Sequence, residues 1–509
     1  MTGQRGTGGT TLRLDLSGAQ AASPEPPRTR DAARTRKVGY RSRVISTSLF
    51  ARAGSAAERF VRRWMPDPFV LVLLLTLVAL VLGYLKVAGL ALDGGAASTL
   101  VMTWTGGFGN AEILKFGLQI ILIVVTGEAI AASPPARRLL ARLTSIPKTA
   151  AQALLLVTSF ALVTGWLHWG FGLVASALLA REVGRALAAR GVAIHYALLG
   201  TGAYTSMLLW HAGLTASAPL LMNTEKNFVS EVLGVSGPSA KVPLSETILA
   251  PYNLIACAIL ALIVPPLIVA MHPKTGIVGI EGHEAPALAS EDSAAHDGSG
   301  SASFTPAEWL DKTRTLTFIT GAIGLSFLVR HFREKGFDLN HNVVNCAFLM
   351  LGMVLHRSPV AYAHAISKSV RGVSGIVLQF PFYGGILEVM KHTGLSASIA
   401  HVFVQAASAT TLPVFTFLAS ILTKSFVPSG AGEWAVEGPP MLQAAKELGV
   451  PYGKITMAVA YGNMLGNMYQ PFWSLPLLGL MGLRARDIMG FCLILFVVCL
   501  PVLGLALLL

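Results

Sequence analysis

The sequence predicts an all-α polytopic membrane protein built as an inverted repeat, with about nine transmembrane helices, two re-entrant hairpins and two interrupted helices. Three observations carry that expectation. The 509 residues are 53% hydrophobic and only 13% Asp, Glu, Lys or Arg, against about 25% charged in an ordinary soluble domain. Apolar runs of about 20 residues, enough to cross a bilayer core, recur along the chain. The chain also resembles itself at an offset near 260 residues.

A soluble enzyme, a disulfide scaffold and a disordered chain are all excluded by this composition. The formal charge of +13 comes from 39 Lys+Arg against 26 Asp+Glu, and residues 1–63 alone hold 13 basic and 4 acidic groups. The excess is thus largely a basic tail on a nearly neutral body, and no nucleic-acid partner is expected. Residues 1–57, rich in Gly, Ser, Thr, Pro and Arg without apolar periodicity, read as a disordered cytoplasmic tail with no signal-peptide h-region. Cys257, Cys346, Cys492 and Cys499 lie in apolar runs with no CxxC pair, and read as small buried hydrophobes.

The first repeat is expected over 58–271. Residues 68–88, 116–132 and 248–270 are clear spans, and 194–222 is apolar but interrupted by Gly, Pro and polar residues. Residues 150–188 are apolar but broken by Gly165, Gly170 and Gly172, so two helices meeting at a tip are expected. A polar linker, 272–314, centres on Gly298, Ser299, Gly300 and Ser301. The remainder, 315–509, holds an odd helix at 315–330, spans at 340–356, 374–390 and 488–508, a second hairpin at 411–447 and a second interrupted helix at 454–481. The second hairpin breaks at Pro428-Ser429-Gly430-Ala431-Gly432.

Basic residues favour the cytoplasmic side. With the N-terminus inside, Arg137, Arg138, Arg142 and Lys148 fall inside. A hairpin at 150–188 returns Arg181, Arg185 and Arg190 to that same side, whereas a single long span would place them outside. Arg357, Lys368, Arg371, Arg484 and Arg486 also fall inside, while Arg333 and Lys335 dissent.

The self-similarity consists of ordered matches. Leu118-Gln119 and Glu128 correspond to Leu378-Gln379 and Glu388, Gly191-Val192 to Gly449-Val450, and Ser217–Leu221 to Ser474–Leu478. At an offset of 258 the first tip, Gly170–Gly172, falls on Pro428–Gly430. A displacement of five spans inverts the second repeat, and paired discontinuous segments then point to the site of a secondary transporter.

At such a tip the N–H groups opening a half-helix form an anion site without a basic side chain. Ser429, Gly430 and Gly432 supply this at the second tip, with Trp169, Gly170 and Gly172 at the first. Asn463, Asn467 and Gln470, three or four apart, are expected on one helical face. Thr201, Tyr204, Thr205, His211, Thr215 and Ser217 form a looser polar set. Five of the eight Trp residues, 166, 169, 210, 434 and 473, fall in these special segments and read as walls of the site. Ionisable groups inside a membrane are functional candidates. Glu433, Glu128, Glu388 and His168 are therefore candidates for ion coupling, with Lys424 near the second hairpin.

Other chemistries lack their motifs. Gly449–Ile455 is one residue short of a P-loop and lacks its Ser/Thr, and no HExxH occurs, so ATP-driven transport and zinc hydrolysis are not expected. An intramembrane serine hydrolase would use Ser429 with His392 or His401 as base, and stands as the alternative of another class.

Arg62-Arg63-Trp64-Met65-Pro66-Asp67-Pro68, Thr126-Gly127, Trp169-Gly170-Phe171-Gly172, Gln379-Phe380-Pro381-Phe382-Tyr383, Val427-Pro428-Ser429-Gly430 and Gln470-Pro471-Phe472-Trp473 resemble the short-chain fatty acid transporter family. The resemblance runs from about Arg59 to the C-terminus. It departs at the second tip, where Ala431 and Glu433 stand in a pattern otherwise written PSGGGxW. It implies bacterial inner-membrane uptake of acetoacetate, butyrate and similar monocarboxylates. Similarity to the wider hairpin-containing ion-transporter superfamily implies alternating access. The expectation is a symporter with no cofactor, the coupling ion H+ or Na+. Its partners are the monocarboxylate and the bilayer, and a homo-oligomer is compatible. A carrier or exporter of another carboxylate is the alternative within transporters.

Overall fold

The computed structural model describes residues 68–224, 233–234, 241–273, 276–283, 305–356, 358–370, 373–424, 427 and 429–509. The basic tail, the motif at 62–67, the linker centre around Gly298–Ser301, Arg357, Arg371 and Pro428 lie outside them. The described residues are helical throughout, without strands. In chain order they form α1 (Pro68–Ala88), α2 (Gly94–Gly107), α3 (Ala111–Ala132), α4 (Pro134–Thr144), α5 (Ala150–Leu167), α6 (Trp169–Ala189), α7 (Tyr196–Tyr204), α8 (Ser217–Met222), α9 (Pro251–Ala270), α10 (Pro306–Lys312) and α11 (Arg314–Lys335). Then follow α12 (His341–Leu355), α13 (Pro359–Val370), α14 (Ser374–His392), α15 (Leu395–Ala406), α16 (Leu412–Thr423), α17 (Gly430–Leu448), α18 (Tyr452–Gly466), α19 (Leu475–Met481) and α20 (Ala485–Ala506).

Each expected span appears as a helix, and each interrupted segment as helical pieces joined by irregular chain. α3, α5, α9, α11 and α20 are long and apolar enough to cross a membrane by themselves, and the bent pair α13–α14 makes a sixth when counted as one span. Five helices were not anticipated. In α2, Gly94, Gly95, Gly106 and Gly107 argue against helix, yet Asp93 caps its start by accepting from Gly95 N at 2.8 Å. α4, α13 and α15, of 11 and 12 residues, are too short to register as spans. The segment read as linker also carries α10, opened by a capping box between Thr305 and Glu308.

The repeat is visible in the packing. α3 and α14 cross antiparallel. Asn110 at the head of α3 meets Glu388 near the tail of α14, Gly117 lies against Phe380, and Glu128 near the tail of α3 faces Ser369 before α14. The broken segments run antiparallel too, since Tyr196 donates to Met481 O at 3.0 Å and Tyr204 to Asn467 O at 3.2 Å. Antiparallel pairing of corresponding elements is what an inverted repeat requires.

Polarity is distributed as lipid demands. Leu74, Leu77, Val78 and Val81 of α1, Leu262 of α9 and Phe318, Ile319 and Ile323 of α11 are exposed, whereas Lys424, Glu433, His211, Asn463 and Asn467 are fully buried. Backbone that leaves the helix is placed inside, where protein groups can satisfy it.

Candidate functional site

Both tips are built by an N-cap. At the first, α5 ends at Leu167 and His168 takes an extended backbone (φ −159°, ψ 104°). Its Nδ1 accepts from Phe171 N at 3.2 Å, which makes it the cap of α6. At the second, Ser429 (φ −91°, ψ 124°) caps α17 and its Oγ accepts from Gly432 N at 3.3 Å. By their caps His168 corresponds to Ser429. The offset of 258 that laid Gly170 on Pro428 therefore slips in register at the tips, because the two segments differ in length before the break.

The two tips differ in what remains unsatisfied. Trp169 N, the first amide of α6, donates to Thr215 Oγ1 at 3.2 Å, so one amide of the first tip is taken within its own repeat. In α17 the first amides, of Gly430 and Ala431, have no intrahelical acceptor, and Ser429 Oγ is taken by Gly432.

Each tip rests on the broken segment of the other repeat. The Trp169 ring packs on Trp473 with centroids 5.2 Å apart. Gly430 packs on Trp210 and His211 so closely that a β-carbon there would lie 2.6 Å from Trp210 Cη2 and 3.0 Å from His211 Cε1. Trp210 also meets Trp169 at 5.5 Å and stacks on His211 at 4.1 Å. Three indoles and an imidazole thus gather where the two breaks meet. Among the described residues, Nε1 of Trp169 and of Trp210 are buried without an acceptor, a costly arrangement for donors that have none.

The first broken segment is held open by specific bonds. Asn253 of α9 donates to Ala212 O at 3.1 Å and Ile248 O at 2.7 Å, and receives Tyr461 OH at 2.9 Å. Leu214 N donates to Trp166 O at 2.8 Å. Ser217 Oγ lies 2.7 Å from His211 Nε2, fixing the ring. Thr205 bonds back to Gly202 O at 2.7 Å within its own segment.

In the second broken segment Asn463 lies inside α18 and Asn467 is its C-cap, while Gln470 follows the helix end in a turn, its N–H donating to Gly466 O at 3.2 Å. Pro471 follows and cannot extend the helix. Asn463 still points inward. Its amide donates to Glu433 Oε2 and its oxygen accepts from Lys424 Nζ at 3.2 Å. Ser420 donates to the other oxygen of Glu433. Asn467 donates to Met207 O at 3.3 Å and so joins the two broken segments. Gln470 is buried, with Oε1 unpartnered among the described residues.

Around the tips the structure thus assembles Ser429, Gly430, Trp169, Trp210, His211 and Ser217, with Asn463 and Glu433 behind the second. Other candidates lie elsewhere. A β-carbon on Gly172 would stand 2.6 Å from Gly165 N, and one on Gly170 would stand 3.2 Å from Ile123 O, so both glycines allow helices to approach. Gly432 packs on Tyr383. Glu128 and Glu388 stand at the α3–α14 crossing. Sequence reasoning missed Glu437, which lies one turn beyond Glu433. Acids four residues apart in an apolar segment were the available signal, but Gly438-Pro439-Pro440 beside Glu437 reads as a helix end, whereas α17 continues through both prolines.

Comparison with known proteins agrees with this architecture. The family described as short chain fatty acid transporter matches residues 49–509. A protein of Escherichia coli (strain K12), under the provisional name short-chain fatty acid transporter, is 40% identical over 445 residues, 87% of this chain and 96% of that one. Its namesake in Haemophilus influenzae is 38% identical over 456 residues, covering 89% and 98%. The crystal structure of the Alcanivorax borkumensis YdaH transporter superposes with a TM-score of 0.53 at 15% identity, over 86% of this chain and 98% of that chain, and shares the fold. A multi-pass, all-helical membrane protein that matches this family over nine-tenths of its length and is 40% identical to a protein named for it belongs to the short-chain fatty acid transporter family.

Proposed function

We propose that the chain is a secondary active symporter that imports butyrate, acetoacetate and similar monocarboxylates across the bacterial cytoplasmic membrane. The N-terminus is cytoplasmic in this reading. A short-chain acid is an anion at neutral pH, and moving it inward against an inside-negative potential costs about 2.3 kcal/mol per 100 mV. Accumulation therefore requires a co-transported cation, H+ or Na+.

The observation that carries this reading is the meeting of the second tip with Trp210 and His211. The carboxylate sits against the first amides of α17, where a helix N-terminus favours an anion by roughly 0.3–2 kcal/mol. The indole N–H groups of Trp169 and Trp210, buried and without an acceptor among the described residues, are further donors for the same ligand. The rings enclose the short alkyl chain, each buried CH2 adding about 0.8 kcal/mol. Of the ion-coupling candidates read from the sequence, Glu433, bonded to Ser420 and Asn463 behind the tip, lies in the polar cluster next to this site, whereas Glu128 and Glu388 stand at the α3–α14 crossing and His168 caps the first tip. The hydrolase alternative loses support, since Ser429 is buried while His392 and His401 are exposed and His401 is bonded to Gln405 at 3.0 Å.

The test is uptake of labelled butyrate and acetoacetate into proteoliposomes under separately imposed proton and sodium gradients, with protein-free liposomes subtracted. One gradient should drive accumulation. Ser429→Ala combined with Asn463→Ala should abolish it in a protein that still elutes as a single folded species. Undiminished uptake by the double variant would remove the site from the second tip.

A further inference from the structure

Glu433 and Glu437 lie one turn apart on α17 and so share a face. Glu433 is completely buried and Glu437 is only 6% exposed. Their surroundings differ. Glu433 receives the Ser420 hydroxyl on one oxygen and the Asn463 amide on the other, and Lys424 stands beside it as counter-charge. That carboxylate is compensated in charge and in hydrogen bonds. Neither oxygen of Glu437 meets a donor at full hydrogen-bonding geometry among the described residues, and the hydroxyls of Ser420 and Thr423 are the donors beside it. Ser420 is already committed to Glu433 and to Val459 O at 3.1 Å.

The remaining charges around the cluster do not help Glu437. The titratable groups of the cluster are Lys424 at the end of α16, Glu433 on the same helix, Tyr383 on α14 and His211 of the first broken segment. α15, packed along the other side, brings only His401, which is exposed. One lysine cannot neutralise two carboxylates, and a second ionised acid buried with two neighbouring hydroxyls, one of them already committed, is strongly disfavoured.

We propose that Glu437 is the residue that takes up and releases the coupling proton. The inference rests on the symport reading above and names its cation. With the cluster closed, as here, the Glu437 oxygen carries the proton. When the second hairpin, α16 and α17, moves so that water reaches Glu437, the O–H bond breaks, the proton leaves to that side as hydronium, and the carboxylate is solvated. Reprotonation from the opposite side reverses the step. A sodium ion fits poorly, because it would need several free oxygens and would sit beside the Lys424 ammonium.

The experiment compares the full chain with Glu437→Gln, which mimics the protonated acid permanently, in proteoliposomes loaded with labelled acetoacetate. The expected result is at least a tenfold loss of accumulation driven by an imposed pH gradient. Exchange of labelled for unlabelled acetoacetate at equal pH should continue in the variant. Accumulation by Glu437→Gln that responds to the pH gradient as the unaltered chain does would overturn the assignment. So would an unaltered chain driven by a sodium gradient alone. An unaltered chain that responds to neither gradient would instead defeat the symport reading.

Should Glu437→Gln fail to fold, the unaltered chain supplies the answer through dicyclohexylcarbodiimide, which modifies carboxyls that are protonated in apolar surroundings. Mass spectrometry should find the adduct on Glu437, more at pH 6 than at pH 8. An adduct on Glu433 with none on Glu437 would overturn the proposal.

Discussion

Gly430 and Trp210 come from opposite repeats, and the tip of one is in contact with the ring of the other: a β-carbon on Gly430 would stand 2.6 Å from Cη2 of Trp210. The contact lies at the first residue of α17, where the amides proposed to hold the carboxylate begin. Gly430→Ala must push the indole or the helix start by roughly an ångström, at a cost of about 1–3 kcal/mol. We expect the variant to fold, and its uptake of labelled butyrate to fall at least tenfold, chiefly through a raised KM. Uptake within twofold of the unaltered chain would show that this contact does not shape the site.

The α3–α14 crossing should respond differently. Asn110 Nδ2 donates to Glu388 Oε1 at 2.9 Å, a hydrogen bond to a charged group of the kind that contributes about 1.5–3 kcal/mol. Asn110→Ala should lower the melting temperature in detergent by several degrees. Its dependence on the driving ion gradient should stay that of the unaltered chain, because this pair lies at a crossing and not at the tips. Scanning fluorimetry and gradient-driven uptake on one preparation separate the two effects.

Two glycine substitutions should move stability in opposite directions. A β-carbon on Gly165 would overlap the backbone carbonyl of Ser206, and backbone cannot swing aside as a flexible side chain can. Gly165→Ala should therefore cost about 1–3 kcal/mol. Gly479, inside α19, has no atom within 4 Å of the added carbon, so Gly479→Ala should gain about 0.5–1 kcal/mol from helix propensity. Melting temperatures of the two variants beside the unaltered chain check both signs.

Outside the spans, His272 gives a pH dependence. Burial holds its imidazole below the ordinary value of 6.5, and its Nε2 accepts from His195 N at 3.2 Å, which requires a neutral ring. As pH falls, the unfolded chain binds the proton first, so this contribution is complete above pH 6.5 and declines below it. The melting temperature should fall further between about pH 7.5 and 5.5 in the unaltered chain than in His272→Gln.

How far the sequence reaches can be judged from particular residues. Long spans are legible because lipid imposes one demand along their whole length, as the runs of α9 and α20 show. Breaks are legible because Gly165 to Gly172 and Ser429 to Gly432 are helix-poor residues in segments too apolar to be loops. What a glycine does at such a place is not legible. Gly172 meets the backbone of Gly165, whereas Gly430 meets a ring of the other repeat, and only the packing tells these apart. α2 was missed because its four glycines outweigh one capping Asp93. Glu437 was missed because two prolines beside it suggest an end that packing overrides.

The caps at the two breaks have a consequence for counting. A chain made of two matched halves offers two equivalent half-helix starts, and by symmetry alone would bind two anions. Thr215 occupies the first start by accepting from Trp169 N, so one half carries its ligand built in as a side chain. The two halves are therefore matched in backbone and unmatched in chemistry, and on the reading proposed above the carboxylate takes at the second start the place that a threonine side chain fills at the first.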